Sequence, residues 1–135
     1  MPLPAIAADF HIDDIKPGEG AESDCFTAFQ RPEARPSSKD QTAPNIFEAV
    51  SDYAFIKIDG KVYQLTLSSG GAKHTTMAHY TAPSLDVQEA HQVTRVDKSS
   101  EGDTYHLKGN LQVIYQGQVQ TLKVKGTSFC YSGPD

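Results

Sequence analysis

The stretch YAFIKIDGKVYQLTL, Tyr53–Leu67, decides how the chain is read. Two runs rich in β-branched and aromatic residues flank Asp59-Gly60. That dipeptide supplies the positive φ angles that a two-residue type I′ turn requires, so the stretch predicts a β-hairpin. Pairing across the turn sets Ile58 opposite Lys61, Ile56 opposite Tyr63 and Ala54 opposite Leu65. Ala54, Ile56, Tyr63 and Leu65 then share one face, while Phe55, Lys57, Val62 and Gln64 share the other. A one-residue slip would exchange the faces, so this sorting fixes the register and marks the first face as core.

The same period of two continues further along the chain. From Thr104 to Tyr115 the odd positions read Tyr105, Leu107, Gly109, Leu111, Val113 and Tyr115. This predicts one long strand, with a bulge or kink inexpensive at Gly109. The turn at Gln116-Gly117 leads into VQTLKVKG and places Leu122 and Val124 on the Leu111 and Val113 face. Cys25–Phe29 and Leu85–Val96 read as further strands. Residues 98–103 read as a loop, and so do 31–45, with three prolines and no large apolar side chain. In IFEAV, residues 46–50, Phe47 and Val50 would share a helical face, so a short helical turn capped by Asn45 is expected. Together these elements predict an all-β domain, a small antiparallel barrel or sandwich of six or seven strands.

Length and composition agree with one small core. The chain has 135 residues, an apolar fraction of 38%, six Phe, six Tyr and no Trp. Residues 1–24 hold six of the seventeen acids and one of the twelve Lys and Arg, leaving eleven of each in residues 25–135. The expected division is an acidic N-terminal arm, 1–24, and a single β domain, 25–135. With no basic excess in that domain, nucleic acid is not an expected partner. No window approaches 18 consecutive apolar residues, so no membrane span is expected. The opening MPLPAIAADF lacks the charged start and apolar run of a signal peptide, yet Ala5-Ile6-Ala7 has the form of a cleavage site, the trace expected of a removed leader.

Cys25 and Cys130 stand near opposite ends of the β domain. A bridge between them would close a loop of about 100 residues, worth roughly 4–5 kcal/mol in the chain-entropy model. It would fit the periplasm or a secreted protein. The alternative is two unrelated buried thiols. The five histidines are His11, His74, His79, His91 and His106, and the gap of five between His74 and His79 puts those two on opposite faces of an extended chain. No metal site and no cofactor are expected.

The loop SSGGAKHTTMAH, residues 68–79, concentrates the polar chemistry. Ser69 and His74 lack the strand-to-helix elbow that activates a serine nucleophile, and Glu101 and Asp103 lack an aromatic platform for a sugar, so no catalysis is expected. Gly70-Gly71 could aim backbone N–H groups at an anion beside Lys73. A plain glycine turn is the simpler reading of the same residues. Loops carry recognition when a rigid scaffold presents them, which makes Ser69, Gly70, Lys73 and His74 the candidate partner-binding residues.

Two resemblances bear on these expectations. The order Gly20…Cys25, AFIKIDGKVYQL (54–65), GNLQVIYQGQVQTLKVKG (109–126) and Cys130 resembles a group of small uncharacterised bacterial proteins, over about two thirds of the chain. IDGKVYQL (58–65) followed by Ser69-Gly70 also resembles, over about 20 residues, the periplasmic inhibitors of C-type lysozyme. Those are small β-barrels whose loop inserts a Ser and a basic residue toward the catalytic carboxylates. That resemblance implies inhibition by loop insertion, not chemistry, with Ser69 and Lys73 in the inserted loop. The function expected for this chain is that of a non-enzymatic inhibitor or immunity-type protein of a cell-wall hydrolase, a monomer or weak dimer. The chain departs from that pattern in having Lys73 where a Tyr is expected and in lacking Trp. The alternative function is a small-molecule- or metal-binding β-barrel.

Overall fold

The computed structural model describes residues 10–21, 23, 25–36, 43–70 and 77–130. Within them the chain forms β1 (Ile12–Asp13), β2 (Cys25–Gln30), β3 (Phe47–Val50), β4 (Tyr53–Ile58), β5 (Lys61–Gly70), β6 (Met77–Ala82), β7 (Leu85–Asp97), β8 (Thr104–Tyr115) and β9 (Gln118–Cys130). Each strand from β2 to β9 pairs antiparallel with its neighbour in sequence, and β9 pairs with β2 to close the ring. The result is an eight-stranded up-and-down barrel plus one extra strand. This corrects the expected count of six or seven and excludes the sandwich.

Three elements account for the difference in count. IFEAV is not a helical turn: Phe47–Val50 is a strand between β2 and β4, because both neighbours offer it open backbone donors and acceptors. Asn45 does not cap a helix. Its amide donates to Glu48 Oε2 at 2.8 Å and its carbonyl oxygen accepts from Gln30 Nε2 at 3.1 Å. Met77–Ala82, inside the polar-looking stretch after Leu67, forms β6 between β5 and β7. Ile12–Asp13 pairs with Ile58 and Lys57, just below the point where β3 leaves β4.

Both hairpins take the registers that the alternation dictates. Ile58 pairs with Lys61, Ile56 with Tyr63 and Ala54 with Leu65; Tyr115 pairs with Gln118 and Leu111 with Leu122. Asp59 and Gly60 have φ of 49° and 81°, and Gln116 and Gly117 have 50° and 81°, as type I′ turns require. Pairing runs through Gly109 without a shift. The bulge lies instead on β7, where Thr94 is the extra residue between Val93 and Arg95.

The inward face fills the barrel with its own side chains. Phe29, Phe47, Ile56, Ile58, Leu65, Val87, Leu111 and Val113 are all buried to within 2% of full enclosure. Gly109 and Gly126 are diagonal neighbours on this face. A Cβ at Gly109 would run into the Ala90 carbonyl, and one at Gly126 into the Ala28 carbonyl, so these positions let the strands turn tightly at the closing wall.

One end of the barrel is plugged by the segment before β2. Phe10 is buried with its ring edge-on to Tyr115 at 5.5 Å, and Tyr115 shares a 2.8 Å hydroxyl hydrogen bond with Tyr63. His11 and Asp13 bracket the Asp59-Gly60 turn through the Asp59 carboxylate and the Gly60 N–H. The segment then climbs the outer wall, where Glu19 pairs with Lys57 at 2.9 Å and the Ala21 N–H donates to Glu48.

Cys25 and Cys130 form a disulfide across the β2–β9 seam, 105 residues apart in sequence. Replacing both by Ser should lower the unfolding free energy by about 4–5 kcal/mol. Equilibrium urea unfolding of oxidised wild type, reduced wild type and the double variant checks this, with the last two expected to coincide.

Candidate binding surface

The barrel wall is uneven. β7, β8 and β9 are 13, 12 and 13 residues long, whereas β3, β4 and β6 have 4, 6 and 6. The excess length rises at the end opposite the Phe10 plug. Pairing of β6 with β7 stops at Met77 and Ala90, so among the described residues β7 from Gln92 to Asp97 pairs on the β8 side alone.

The inner face of this high wall is apolar and open. Val93 lies opposite Leu107, and Val96 opposite Tyr105. The Thr94 bulge produces this arrangement: the extra residue brings Val96 onto the same face as Val93, where strict alternation would have placed Arg95. Val93, Val96 and Tyr105 are 50%, 38% and 37% exposed. The outer face of the same ribbon is ionic. Asp97 meets His106 Nε2 at 2.8 Å and Arg95 Nε at 3.2 Å. Hydrogen bonding from His106, aided by the Arg95 charge, holds the Asp97 carboxyl below its ordinary range despite some desolvation.

Below the apolar strip the interior turns polar. Glu89 is 4% exposed and occupies an inward slot of β7, where its carboxylate meets His91 Nδ1. The His91 ring lies 6.0 Å from that of Phe29, beside the space left by Gly109. Burial, and secondarily the negative charge of Glu89, push the Tyr80 phenol up to about 12. A buried carboxylate that fixes one ring nitrogen of a half-buried histidine leaves the other nitrogen to act as donor or acceptor. Among the described residues no group of three potential metal ligands comes together.

Of the residues expected to contact a partner, Ser69 and Gly70 end β5 on the low rim. Ser69 pairs with His79 and Gly70 with Ala78, after a bulge whose extra residue, Ser68, donates from its hydroxyl to the His79 carbonyl at 3.0 Å. Gly70 has φ of 76°, and a Cβ there would strike the Met77 carbonyl, so the backbone itself requires glycine. Lys73 and His74 lie outside the described residues. His79 reaches across the outer wall to Asp86 at 2.6 Å.

The sequence reading passed over Glu89, named His91 only as one of five histidines, and passed over the apolar strip. The first had a signal: both fall on the inward parity of β7 with Leu85 and Val87, where a charge is out of place. The second had none, because the parity change depends on a bulge that alternation does not reveal.

No protein-family model matches the chain, and neither a curated protein nor a solved structure matches it.

Two substitutions probe the interior. His91→Ala should remove the partner of a buried carboxylate and cost about 1–3 kcal/mol at neutral pH, measured by urea unfolding. Tyr80 is neutral in the fold up to about pH 12, while an exposed phenol ionises near its ordinary value of 10. Its contribution is therefore complete below about pH 10 and is lost as pH rises toward 12. Tyr80→Phe should flatten the fall of melting temperature across that window.

Proposed function

We propose that this protein is a non-enzymatic, extracytoplasmic binding barrel that docks a protein partner at its open end. The observation that carries this reading is the exposed strip Val93–Val96–Tyr105 beside the β7 edge. An apolar surface next to open backbone donors and acceptors suits an extended segment of a partner. The strand ladder supplies affinity and the side-chain pockets supply selectivity. The rim residues Ser69 and Gly70 end β5, separated from β7 by β6, and with Lys73 and His74 of the sequence that follows would complete the contact.

The disulfide supports an oxidising compartment, the periplasm or the exterior of a bacterial cell. No helix among the described residues is long and apolar enough to cross a membrane. In its narrowest form the proposal is an inhibitor or immunity-type protein of a cell-wall hydrolase, in which Lys73 complements the carboxylates of the hydrolase cleft. A small-molecule or metal ligand at the mouth is the second reading. It is favoured by the carboxylate-held His91 beneath the strip.

Capture from envelope extract of the producing organism tests the proposal. Wild type is compared with Val93→Asp/Val96→Asp and with Ser69→Ala/Lys73→Ala, after circular dichroism has shown the barrel intact. Both variants should recover at least tenfold less partner. Undiminished recovery by both would refute protein docking at this end. Purified C-type lysozyme assayed with each protein tests the narrower form, which requires inhibition that the Ser69→Ala/Lys73→Ala protein lacks.

A further inference from the structure

The outer face of the high wall, opposite the apolar strip, carries three lysines that no ion pair reaches among the described residues. Lys108 on β8 and Lys125 on β9 are register partners, so their side chains leave the sheet together, with Cα atoms about 5 Å apart. Lys123 follows on the same face of β9, about 7 Å along the strand. Like charges set directly opposite each other on neighbouring strands destabilise a sheet. The other described lysines each have a compensating neighbour. Lys57 pairs with Glu19, Lys98 pairs with Asp103, Lys16 lies within the field of Glu19, and Lys61 sits over the Tyr63 ring. No ion pair reaches Lys108, Lys123 or Lys125 among the described residues. Among the described residues Lys125 donates to the Ala34 carbonyl, at 2.9 Å, a neutral acceptor that leaves its charge uncompensated.

These three lysines line a groove of about 840 Å³ with no carboxylate in its lining. Gln92 and Asn110, which pair with Lys108 and Lys123 across the ladder, add amide donors to the same walls. Pro32 and Met77 also line it. A second recess of about 370 Å³ shares the Lys108–Lys125 pair and adds Arg95 and His106. On a chain with a net charge of -5, this is a local concentration of positive charge set in a concavity.

We propose that this groove binds a multiply charged oxyanion, a phosphate or phosphoester group, held between Lys108, Lys123 and Lys125. Ammonium groups on flexible stems are compact, strongly charged donors and can converge on one tetrahedral anion from several directions. Three of them on one face, with Cα atoms about 5–8 Å apart, match a small dense anion better than the spaced carboxylates of an acidic protein segment. The anion would supply the countercharge that the strands lack and remove the repulsion across the β8–β9 ladder.

Amide NMR titration of the full chain at low ionic strength tests this, with pyrophosphate, inorganic phosphate and glycerol phosphate as separate probes. Pyrophosphate should give saturable shifts centred on Lys108, Asn110, Lys123 and Lys125. Lys108→Gln and Lys125→Gln should each weaken it at least tenfold, and Lys61→Gln, at the plugged end, should not. Stronger binding of glycerol phosphate than of inorganic phosphate identifies a phosphoester ligand, and the reverse order identifies the free ion. Lys108→Gln should also raise the melting temperature of the ligand-free protein at low salt and lose that advantage at high salt. Pyrophosphate should stabilise wild type but neither groove variant. The proposal is overturned by shifts that do not saturate, by equal weakening in Lys61→Gln, or by binding of polyglutamate in place of pyrophosphate.

Discussion

The β2–β9 seam is the constraint on which the rest depends. Six consecutive residue pairs, Cys25–Cys130 to Gln30–Lys125, join strands from opposite ends of the chain. Without them the meander would have two long unpaired edges, each a template for association, and its inward face would lie open to water. The seam is also costly entropically, because pairing its strands closes a loop of about 100 residues. The disulfide at its outer end shortens that search in the oxidised chain and holds the ring shut at the end where the wall is tallest.

Closure at eight strands leaves an interior just wide enough for side chains, and this protein fills it that way. Aromatic and branched residues occupy the middle, and the N-terminal segment stops one end with Phe10. The interior is therefore a core first, and recognition is displaced to where that filling ends. There the long strands β7, β8 and β9 outrun their neighbours, exposing an apolar inner face, an open edge and, just beneath, the Glu89–His91 pair. The two faces of one wall are chemically opposed: valines and tyrosine inside, lysines, arginine and histidine outside.

Charge follows the same logic. Acids of the segment before β2 serve cations and N–H groups of the barrel: Glu19 neutralises Lys57, and Asp13 accepts from Gly60. Glu48, buried on the outer wall, is satisfied by the Ala21 N–H and the Asn45 amide. A composition that looks like a separate acidic arm thus contributes paired groups to the domain. Lys108, Lys123 and Lys125, which no ion pair reaches among the described residues, lie together on β8 and β9.

The sequence alone determined the hairpins. Asp59-Gly60 and Gln116-Gly117 set their own turn geometry, and strict alternation on either side permits one register, so the pairings from Ala54–Leu65 to Leu111–Leu122 were legible without any fold. Those are local facts, decided by φ preferences and by which face can leave water. The number of strands was not local. Phe47–Val50 and Met77–Ala82 are too short and mixed to declare themselves, and they become strands because both of their neighbours need partners. Ring closure, the Phe10 plug and the Thr94 bulge that turns Val96 inward likewise follow from edges that must be paired across long stretches of chain. Tertiary structure decided these features, and with them the open surface, because hydrogen bonding between distant strands leaves no periodic trace in sequence.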